Sequence, residues 1–476
     1  MSKNVLLVYL TTGGKSFYYD FAEEFLLNGN KVMHWNIYNH DFLEGSKEKI
    51  LDKITKFKPD FIISFNNICP EDVIKKFPIP VLLLDSDNPE FFHNKDIIGK
   101  YDGLFYLGFQ SASKELYQNI LKADITEKNF LFFPTATNFR KDTTKTANTN
   151  ISFIGSNFYR DFLKESERIL IPQEIDTVLY LTDKVKKNYF FDDQNITDKS
   201  LINFTKYYLA GQYRLKYLSA ISDLGLQIYS DSNWKNLFYY DLELSKCYNS
   251  KIVFTKEENQ DIYNSSKIAI NLSHLQATSS FSFRVPDIMA TNACLVMEEK
   301  IDWHKIYGPY VSNEVKKAII YKDQYDMREK CINLLKDEEL RLRCVDECQK
   351  AIEINGRWHS RIRSLENFLG MKLLNNSLPQ LRDYKSLELH LVIEKDEKEE
   401  EKYEKAEKKK EEKVDPKIQP QPQNFPKKKL KSNLYMMLKS LVILIYLIPF
   451  FGKKLIKERR VNKIINQLSD KLYINN

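Results

Sequence analysis

Residues 5–37 read VLLVYLTTGGKSFYYDFAEEFLLNGNKVMHWNI, and this stretch indicates the fold class. The run 5–10 is apolar throughout, which is typical of a strand buried on both faces of a parallel sheet. Apolar residues at helical spacing follow, and Gly29 with Asn30 ends that helix before a second apolar run begins. The stretch therefore predicts a strand–helix–strand unit with parallel strands.

The same alternation continues to about residue 140 and restarts after the polar linker RKDTTKTANTN at 140–150. We therefore predict an α/β protein with two Rossmann-like, doubly wound domains, residues 1–145 and 146–375. A less regular helical stretch at about 165–220 is expected to be an insertion in the second domain. The helix predicted at 357–374 is expected to return toward the first domain. A cleft should lie between the domains, at the carboxyl ends of both sheets.

The composition changes beyond residue 375. Residues 376–426 form a linker of mixed charges followed by a Pro/Gln spacer. Residues 427–476 carry twelve Lys or Arg against Glu458 and Asp470, so this tail is basic whereas the rest of the chain is close to neutral. The tail also holds an apolar run at 434–451, flanked by lysines. We expect a basic amphipathic helix that lies on the inner membrane surface, and the alternative is a helix that packs on the protein's own body.

The near-neutral body argues against a nucleic-acid partner. Six cysteines are scattered without zinc-finger spacing, so structural thiols are the better interpretation. The first residues lack the features of a secretory signal and are typical of a first strand. Together these observations predict a cytoplasmic protein that is peripheral at the cytoplasmic face of the membrane.

The most informative stretch is residues 263–300, YNSSKIAINLSHLQATSSFSFRVPDIMATNACLVMEEK. A strand is followed by a Ser/Thr-rich loop, Arg284, and Pro286 in a position to open a helix. A helix N-terminus and an arginine favour a diphosphate, and Asp287 in the first turn can accept hydrogen bonds from ribose hydroxyls. An ordinary capped helix remains the competing interpretation.

The order of these motifs resembles the CgeB-like glycosyltransferases, which have the GT-B fold and are related to the group-one glycosyltransferases. The similar segments are the strand at 151–156 with Arg160 after it, the strand at 266–271, the helix start at 284–287, and Asp87 with Pro89 in the first half. The resemblance implies transfer of a sugar from a nucleotide-sugar donor to a glycan or lipid-linked acceptor. It implies no cofactor besides the donor.

Several further residues are candidates for this site. Arg160 and Lys267 are additional candidates for the donor diphosphate, and Asp87 and His274 are candidates for the catalytic base. Glycines let a sugar approach the backbone closely. The candidate cleft loops accordingly contain Gly13, Gly14, Gly155, Ser156 and Asn271.

Asp85 and Asp87 form an Asp-x-Asp motif after the apolar run 81–84. The nucleotide signals lie some two hundred residues later, so we expect no metal at this motif. Two other functions stay open. Asp287 in place of the usual Glu, with Ser279 and Asn292 at positions where relatives have Glu and Gly, keeps a catalytically inactive, membrane-tethered glycan- or nucleotide-binding protein as an alternative. A Rossmann oxidoreductase is disfavoured because TTGGKS lacks the third glycine of the dinucleotide fingerprint.

Overall fold

The computed structural model describes residues 2–10, 16–37, 46–85, 87, 89, 92–95, 98, 101, 103–158, 172–191, 195–196, 198–230, 232–251 and 255–375. The expected linker and basic tail, 376–476, lie outside these residues, as do Gly13, Gly14 and Arg160. None of the described helices is both long and apolar enough to cross a lipid bilayer.

The first half of the chain forms a parallel six-stranded sheet. Its strands are Asn4–Tyr9 (β1), Lys31–Asn36 (β2), Phe61–Phe65 (β3), Val81–Leu84 (β4), Leu104–Gly108 (β5) and Phe130–Phe132 (β6). The helices of this half are Ser16–Leu27 (α1), Ser46–Phe57 (α2), Glu71–Lys76 (α3) and Ser113–Leu121 (α4).

The strand order of the first sheet is β2-β1-β3-β4-β5-β6. The order 2-1-3-4-5 is one of the two common doubly wound arrangements, and its direction reverses between β1 and β3. Apolar side chains are buried on both faces, with Leu6 and Val8 in one cluster and Val5 and Leu7 in the other. Continuous apolar runs such as VLLVY are therefore needed for the central strands.

The second half forms another parallel six-stranded sheet. Its strands are Thr149–Ile154 (β7), Leu226–Tyr229 (β8), Tyr248–Asn249 (β9), Ser266–Asn271 (β10), Cys294–Glu298 (β11) and Ile320–Tyr321 (β12). The helices are Pro172–Lys187 (α5), Lys199–Ser219 (α6), Leu242–Lys246 (α7), Lys256–Asn264 (α8), Arg284–Met289 (α9), Ile301–Ile306 (α10), Asn313–Ile319 (α11), Gln324–Lys336 (α12), Glu338–Asn355 (α13) and Trp358–Leu369 (α14).

The strand order of the second sheet is β12-β11-β10-β7-β8-β9, and neighbouring strands are parallel. Numbered within its own half, this is the order 3-2-1-4-5-6 of the Rossmann fold, with the reversal between β7 and β10. Two Rossmann-like sheets joined in one chain give the GT-B architecture. The fold class expected from the sequence is confirmed.

Two segments of the predicted helical insertion are described, α5 and α6. They pack on each other through a small apolar cluster that includes Leu181, Leu201 and Phe204. The side chain of Asp198 accepts a hydrogen bond from the Ser200 N–H, and so caps the start of α6. The insertion therefore has its own small apolar core.

The last described helix, α14, packs on the first sheet although it follows the second in sequence. Trp358, Ile362 and Leu365 belong to the apolar cluster that also contains Val5 and Leu7. The chain that returns before α14 lies beside the chain that leaves the first sheet after β6. The Thr137 N–H donates to the Gly356 carbonyl at 2.9 Å. The two halves are thus joined by two adjacent chain crossings.

The two crossings are braced by buried arginines. Arg361 donates through Nε to the Pro134 carbonyl at 2.8 Å. Arg357 donates to the Phe139 carbonyl. His359 and Glu24 are both buried and lie 2.7 Å apart, which joins α14 to α1. A helix that follows the second half in sequence therefore completes the first half.

Candidate functional site

A cavity of about 190 Å³ lies between the two halves. Its lining residues follow the carboxyl ends of β4, β5 and β6 on one side and of β10 on the other. They are Asp85, Asp87, Phe109, Gln110 and Thr135 from the first half, and His274, Gln276, Ala277, Ser280, Phe281, Ser282 and Phe283 from the second. Ligands of doubly wound sheets bind at this end of the strands, so the cavity is the candidate site.

Helix α9 begins two residues earlier than the sequence predicts. It starts at Arg284, and Pro286 is its third residue instead of its first. Proline is tolerated throughout the first turn because the N–H groups there have no acceptor within the helix. The position of Pro286 in the sequence therefore does not determine the first residue of α9.

The first turn of α9 offers few free N–H groups. The Val285 N–H donates to the Ser282 carbonyl at 3.0 Å and that of Asp287 to the Phe283 carbonyl at 3.4 Å, while Pro286 has no N–H. The helix has only six residues. These contacts do not support the expectation that its amides receive a diphosphate, so positive charge from side chains is needed there.

Arg284 and Asp287 both lie partly exposed on α9. The Arg284 guanidinium interacts with the hydroxyl of the buried Tyr263. Oδ1 of Asp287 accepts a hydrogen bond from the Thr137 hydroxyl at 2.5 Å. Thr137 belongs to the linker between the halves, so Asp287 ties this helix to the chain crossing.

Asp87 lies on the opposite side of the cavity and is exposed. Its Oδ2 accepts from Asn66 Nδ2 at 2.9 Å, and its N–H donates to Asn66 Oδ1 at 3.0 Å. This reciprocal pair fixes the backbone of Asp87 against the end of β3. The carboxylate stays accessible to a molecule in the cleft.

Asp85 has a different environment from Asp87. It is buried, and its carboxylate accepts from the Phe109 N–H and from the Ser113 hydroxyl, both at 2.6 Å. Burial raises the pKa of Asp85 to about 7, against the opposing effect of these hydrogen bonds. Its bonds join β4 to the loop after β5. Within the part of the chain that the structure describes, no group of three His, Cys, Asp or Glu residues is arranged to hold a metal ion.

His274 lines the second wall of the cavity. Its Nδ1 accepts from the Gln276 N–H at 3.2 Å, so the proton of the neutral ring is on Nε2. Burial and the positive charge of Arg214 lower the pKa of His274 to about 3. A ring with so low a pKa is a weak base. This environment argues against the predicted role as catalytic base and favours a neutral N–H donor.

Gly155, Ser156 and Asn271 lie at the carboxyl ends of the neighbouring strands β7 and β10. The Gly155 carbonyl accepts from the Trp234 indole at 2.8 Å. Oδ1 of Asn271 accepts from the Ser282 hydroxyl at 2.6 Å, which holds the loop before α9. These three residues are therefore together at the switch point of the second sheet.

Lys267 is not brought to this site. It is the second residue of β10, four positions before Asn271 at the carboxyl end. Four residues of extended strand span roughly 13 Å. The predicted role of Lys267 in diphosphate binding is thus not supported by its position.

Arg214, which lies on α6, was not predicted from the sequence. Its guanidinium is buried, donates through Nη1 to the Ser156 carbonyl, and donates through Nη2 to the Leu272 carbonyl at 3.2 Å. A Cβ atom at Gly155 would lie 3.3 Å from Nη1 of this arginine. The only local sign was an arginine in a tyrosine-rich helix segment, YYLAGQYRLKYL, and that pattern has no specific meaning.

Residues 214–367 match the model of a protein family described as glycosyl transferase-like. The match covers about a third of the chain and includes His274, Arg284 and Asp287. The second half is therefore similar to the domain of this family. Among curated protein sequences, none matches this chain.

Several solved structures are similar in fold. The T4 phage β-glucosyltransferase with UDP-glucose is 10% identical, with a TM-score of 0.45, and the alignment covers 78% of this chain and 100% of that one. Anabaena Alr3699/HepE with UDP is 8% identical, with a TM-score of 0.45 and coverage of 77% and 99%. WaaG, a glycosyltransferase involved in lipopolysaccharide biosynthesis, is 8% identical, with a TM-score of 0.43 and coverage of 77% and 100%.

Proposed function

We propose that the protein is a glycosyltransferase that moves a sugar from a nucleoside-diphosphate donor to a cell-surface or lipid-linked glycan. One observation carries the proposal: the cavity between the halves has an exposed carboxylate, Asp87, on one wall, and the loop leading to Arg284 and Asp287 on the other. The match of 214–367 to a glycosyltransferase-like family supports it. The reaction needs no cofactor besides the donor.

The second half holds the donor in this proposal. Glycosyl transfer leaves negative charge on the departing diphosphate, and a cation placed there stabilises the transition state. Arg284 provides such a cation and forms bidentate hydrogen bonds with phosphate oxygens. Asp287 accepts from the ribose hydroxyls, since each carboxylate oxygen can accept more than one hydrogen bond and Oδ1 already accepts from Thr137.

The first half holds the acceptor. Asp87 takes the proton of the attacking hydroxyl, because it is a carboxylate that is exposed at the cleft and is oriented by Asn66. Asp85 is unsuited to this step because both of its oxygens accept hydrogen bonds from neighbouring protein groups. His274 contributes the Nε2–H as a neutral donor.

Thermal-shift measurements with UDP-, GDP-, CMP- and dTDP-sugars test the donor class. A ligand that binds only the folded protein raises the melting temperature, by an amount that grows with its concentration over Kd. We expect one nucleotide series to raise it and the free sugars to have no effect. If none of the four series raises the melting temperature, the proposed function is wrong.

A second function is favoured by the contacts of Ser279. Its hydroxyl donates to Asp302 at 2.9 Å and accepts from the Ala112 N–H at 3.2 Å, so it joins the two halves. Wider relatives have a glutamate at this position, and that carboxylate is missing here. A protein that binds the nucleotide-sugar or a glycan without transfer would show a thermal shift but neither donor hydrolysis nor product.

The basic tail, 427–476, attaches the enzyme to the cytoplasmic membrane face in this proposal. Its twelve basic residues and the apolar run 434–451 support interfacial binding to anionic lipid. Such attachment brings the enzyme to the membrane that holds a lipid-linked acceptor. Vesicle sedimentation with and without the tail tests this part independently of the chemistry.

A further inference from the structure

Arg214 is a buried cation without an acidic partner among the residues that the structure describes. Its side chain is 8% exposed, and its Nε has no hydrogen-bond partner among the described residues. None of the carboxylates that the structure describes forms an ion pair with Arg214. Glu298 is near enough for its charge to act on Arg214, but it accepts from the Tyr213 hydroxyl and the Ser273 N–H. Burying a charge without a partner destabilises the folded protein.

A second positive charge increases this cost. Arg284 is close enough that its charge, together with burial, lowers the pKa of Arg214 to about 9. Two guanidinium groups repel each other because both are positively charged. An anion that lies between or beside them offsets this repulsion. The ring of Phe158 lies 4.1 Å from the Arg214 guanidinium and offsets part of the cost through a cation–π contact.

The position of Arg214 in the fold indicates which kind of anion can balance its charge. Its two carbonyl acceptors belong to Ser156 and Leu272, which follow β7 and β10. These strands flank the point where the strand order of the second sheet reverses, and ligands of such sheets bind beyond that point. His274, a neutral N–H donor, is in the same place.

We propose that Arg214 is the second cation of the donor diphosphate site, and this inference rests on the proposed function. Arg214 holds the loops after β7 and β10 through the Ser156 and Leu272 carbonyls, and its charge is balanced when a diphosphate binds beside Arg284. Arg214 acts on the diphosphate by holding these loops and by the electrostatic field of its charge, so it is a positioning residue.

Binding measurements on three variants test this role. Arg214→Met removes the charge and keeps the length of the side chain, Arg214→Lys keeps the charge, and Arg343→Met removes a charge from an exposed ion pair with Glu314. The probes are inorganic pyrophosphate, the nucleoside diphosphate with the largest thermal shift, and the corresponding nucleoside. Titration calorimetry gives Kd at two salt concentrations.

We expect Arg214→Met to weaken pyrophosphate and nucleoside diphosphate by roughly tenfold to a hundredfold, as for loss of a charge-assisted interaction. Nucleoside affinity should be unchanged, Arg214→Lys should recover most of the loss, and Arg343→Met should match the wild type. Equal weakening of the nucleoside and the diphosphate would mean that Arg214 only supports the fold, which contradicts the inference.

A second readout does not require Arg214→Met to fold. Pyrophosphate bound beside Arg214 adds negative charge near His274, so in the wild type it should raise the pKa of that ring, measured by NMR titration. An unchanged His274 pKa in protein saturated with pyrophosphate contradicts the inference. If wild type binds a nucleoside diphosphate but Arg214→Met binds it within twofold as tightly, only the role of Arg214 fails. If wild type binds neither pyrophosphate nor a nucleoside diphosphate, the proposed function fails as well.

Discussion

Oδ2 of Asp302, in the second half, accepts a hydrogen bond from the Ser111 N–H, in the first half, at 2.9 Å. The same oxygen accepts from the Ser279 hydroxyl at 2.9 Å, and Asp302 is fully buried. Lys305 lies 3.6 Å from its other oxygen. These bonds join the loop after β5 to the loop after β10 beside the cavity, so one carboxylate sets the spacing of its walls.

Replacement of Asp302 should therefore loosen the contact between the halves. We expect Asp302→Ala to lower the free energy of unfolding by about 1–3 kcal/mol, because the Ser111 N–H and the Ser279 hydroxyl lose their acceptor. Urea unfolding measures the loss, and small-angle scattering measures the separation of the halves. Asp346→Ala, at an exposed ion pair, is the control. A loss no larger than that of the control contradicts this account.

Asp85 predicts a pH dependence of stability. Its pKa is raised to about 7 in the folded protein from 3.8, so the folded state binds the proton more tightly than the unfolded state. The stabilisation is fully present below about pH 4, decreases as pH rises toward 7, and is absent above it. The difference in unfolding free energy between wild type and Asp85→Asn should fall by up to about 1.4 kcal/mol per pH unit in that window.

Asparagine mimics the protonated carboxyl, since its oxygen accepts from the Phe109 N–H and its amide donates to Ser113. Urea unfolding at pH 5, 6, 7 and 8 on both proteins measures the difference. A difference that is constant across this range would mean that Asp85 is ionised throughout, with an ordinary pKa. In that case its burial is overcome by its hydrogen bonds.

Asp87→Asn tests the acceptor side. The variant should lower the rate of transfer by roughly 10²–10⁴-fold, as for loss of a general base. Its affinity for the donor should stay within twofold, because Asp87 lies on the first wall of the cavity and the donor residues are on the second. Steady-state kinetics and calorimetry together separate the two effects. An unchanged rate would assign the base to another residue.

Removal of residues 425–476 tests the membrane attachment. The shortened protein should stay in the supernatant with vesicles of anionic lipid, whereas the full chain should sediment with them and be released by high salt. Neutral vesicles are the control. Equal sedimentation of the two proteins would contradict attachment through the tail.

Much of the fold was predictable because it depends on local patterns. Buried parallel strands require apolar runs, and VLLVY and VLLL both form central strands. The start of α9 was wrong by two residues because Pro286 is compatible with each position of the first turn. The apolar run KIVFT at 251–255 also has the pattern of a strand; the structure has a strand at Tyr248–Asn249, and residues 252–254 lie outside the described part of the chain.

The polar contacts of the site were less predictable because they connect distant parts of the sequence. Arg214 is 58 residues from both of its carbonyl acceptors, and Asp302 is 191 residues from Ser111. Within a single sequence, a buried arginine in a helix has the same local pattern as an exposed one. The role of such a residue can be assigned only when the fold shows which distant residues it contacts.

In the proposed mechanism, Arg284 stabilises the leaving diphosphate of a nucleotide-sugar. The most direct measurement is release of nucleoside diphosphate from the donor identified by thermal shift, with wild type, Arg284→Ala and Arg343→Ala at matched concentrations. We expect turnover by wild type and Arg343→Ala, and a loss of at least about a hundredfold in Arg284→Ala, because a group that stabilises the leaving diphosphate is removed. Turnover by Arg284→Ala at the wild-type rate would contradict it.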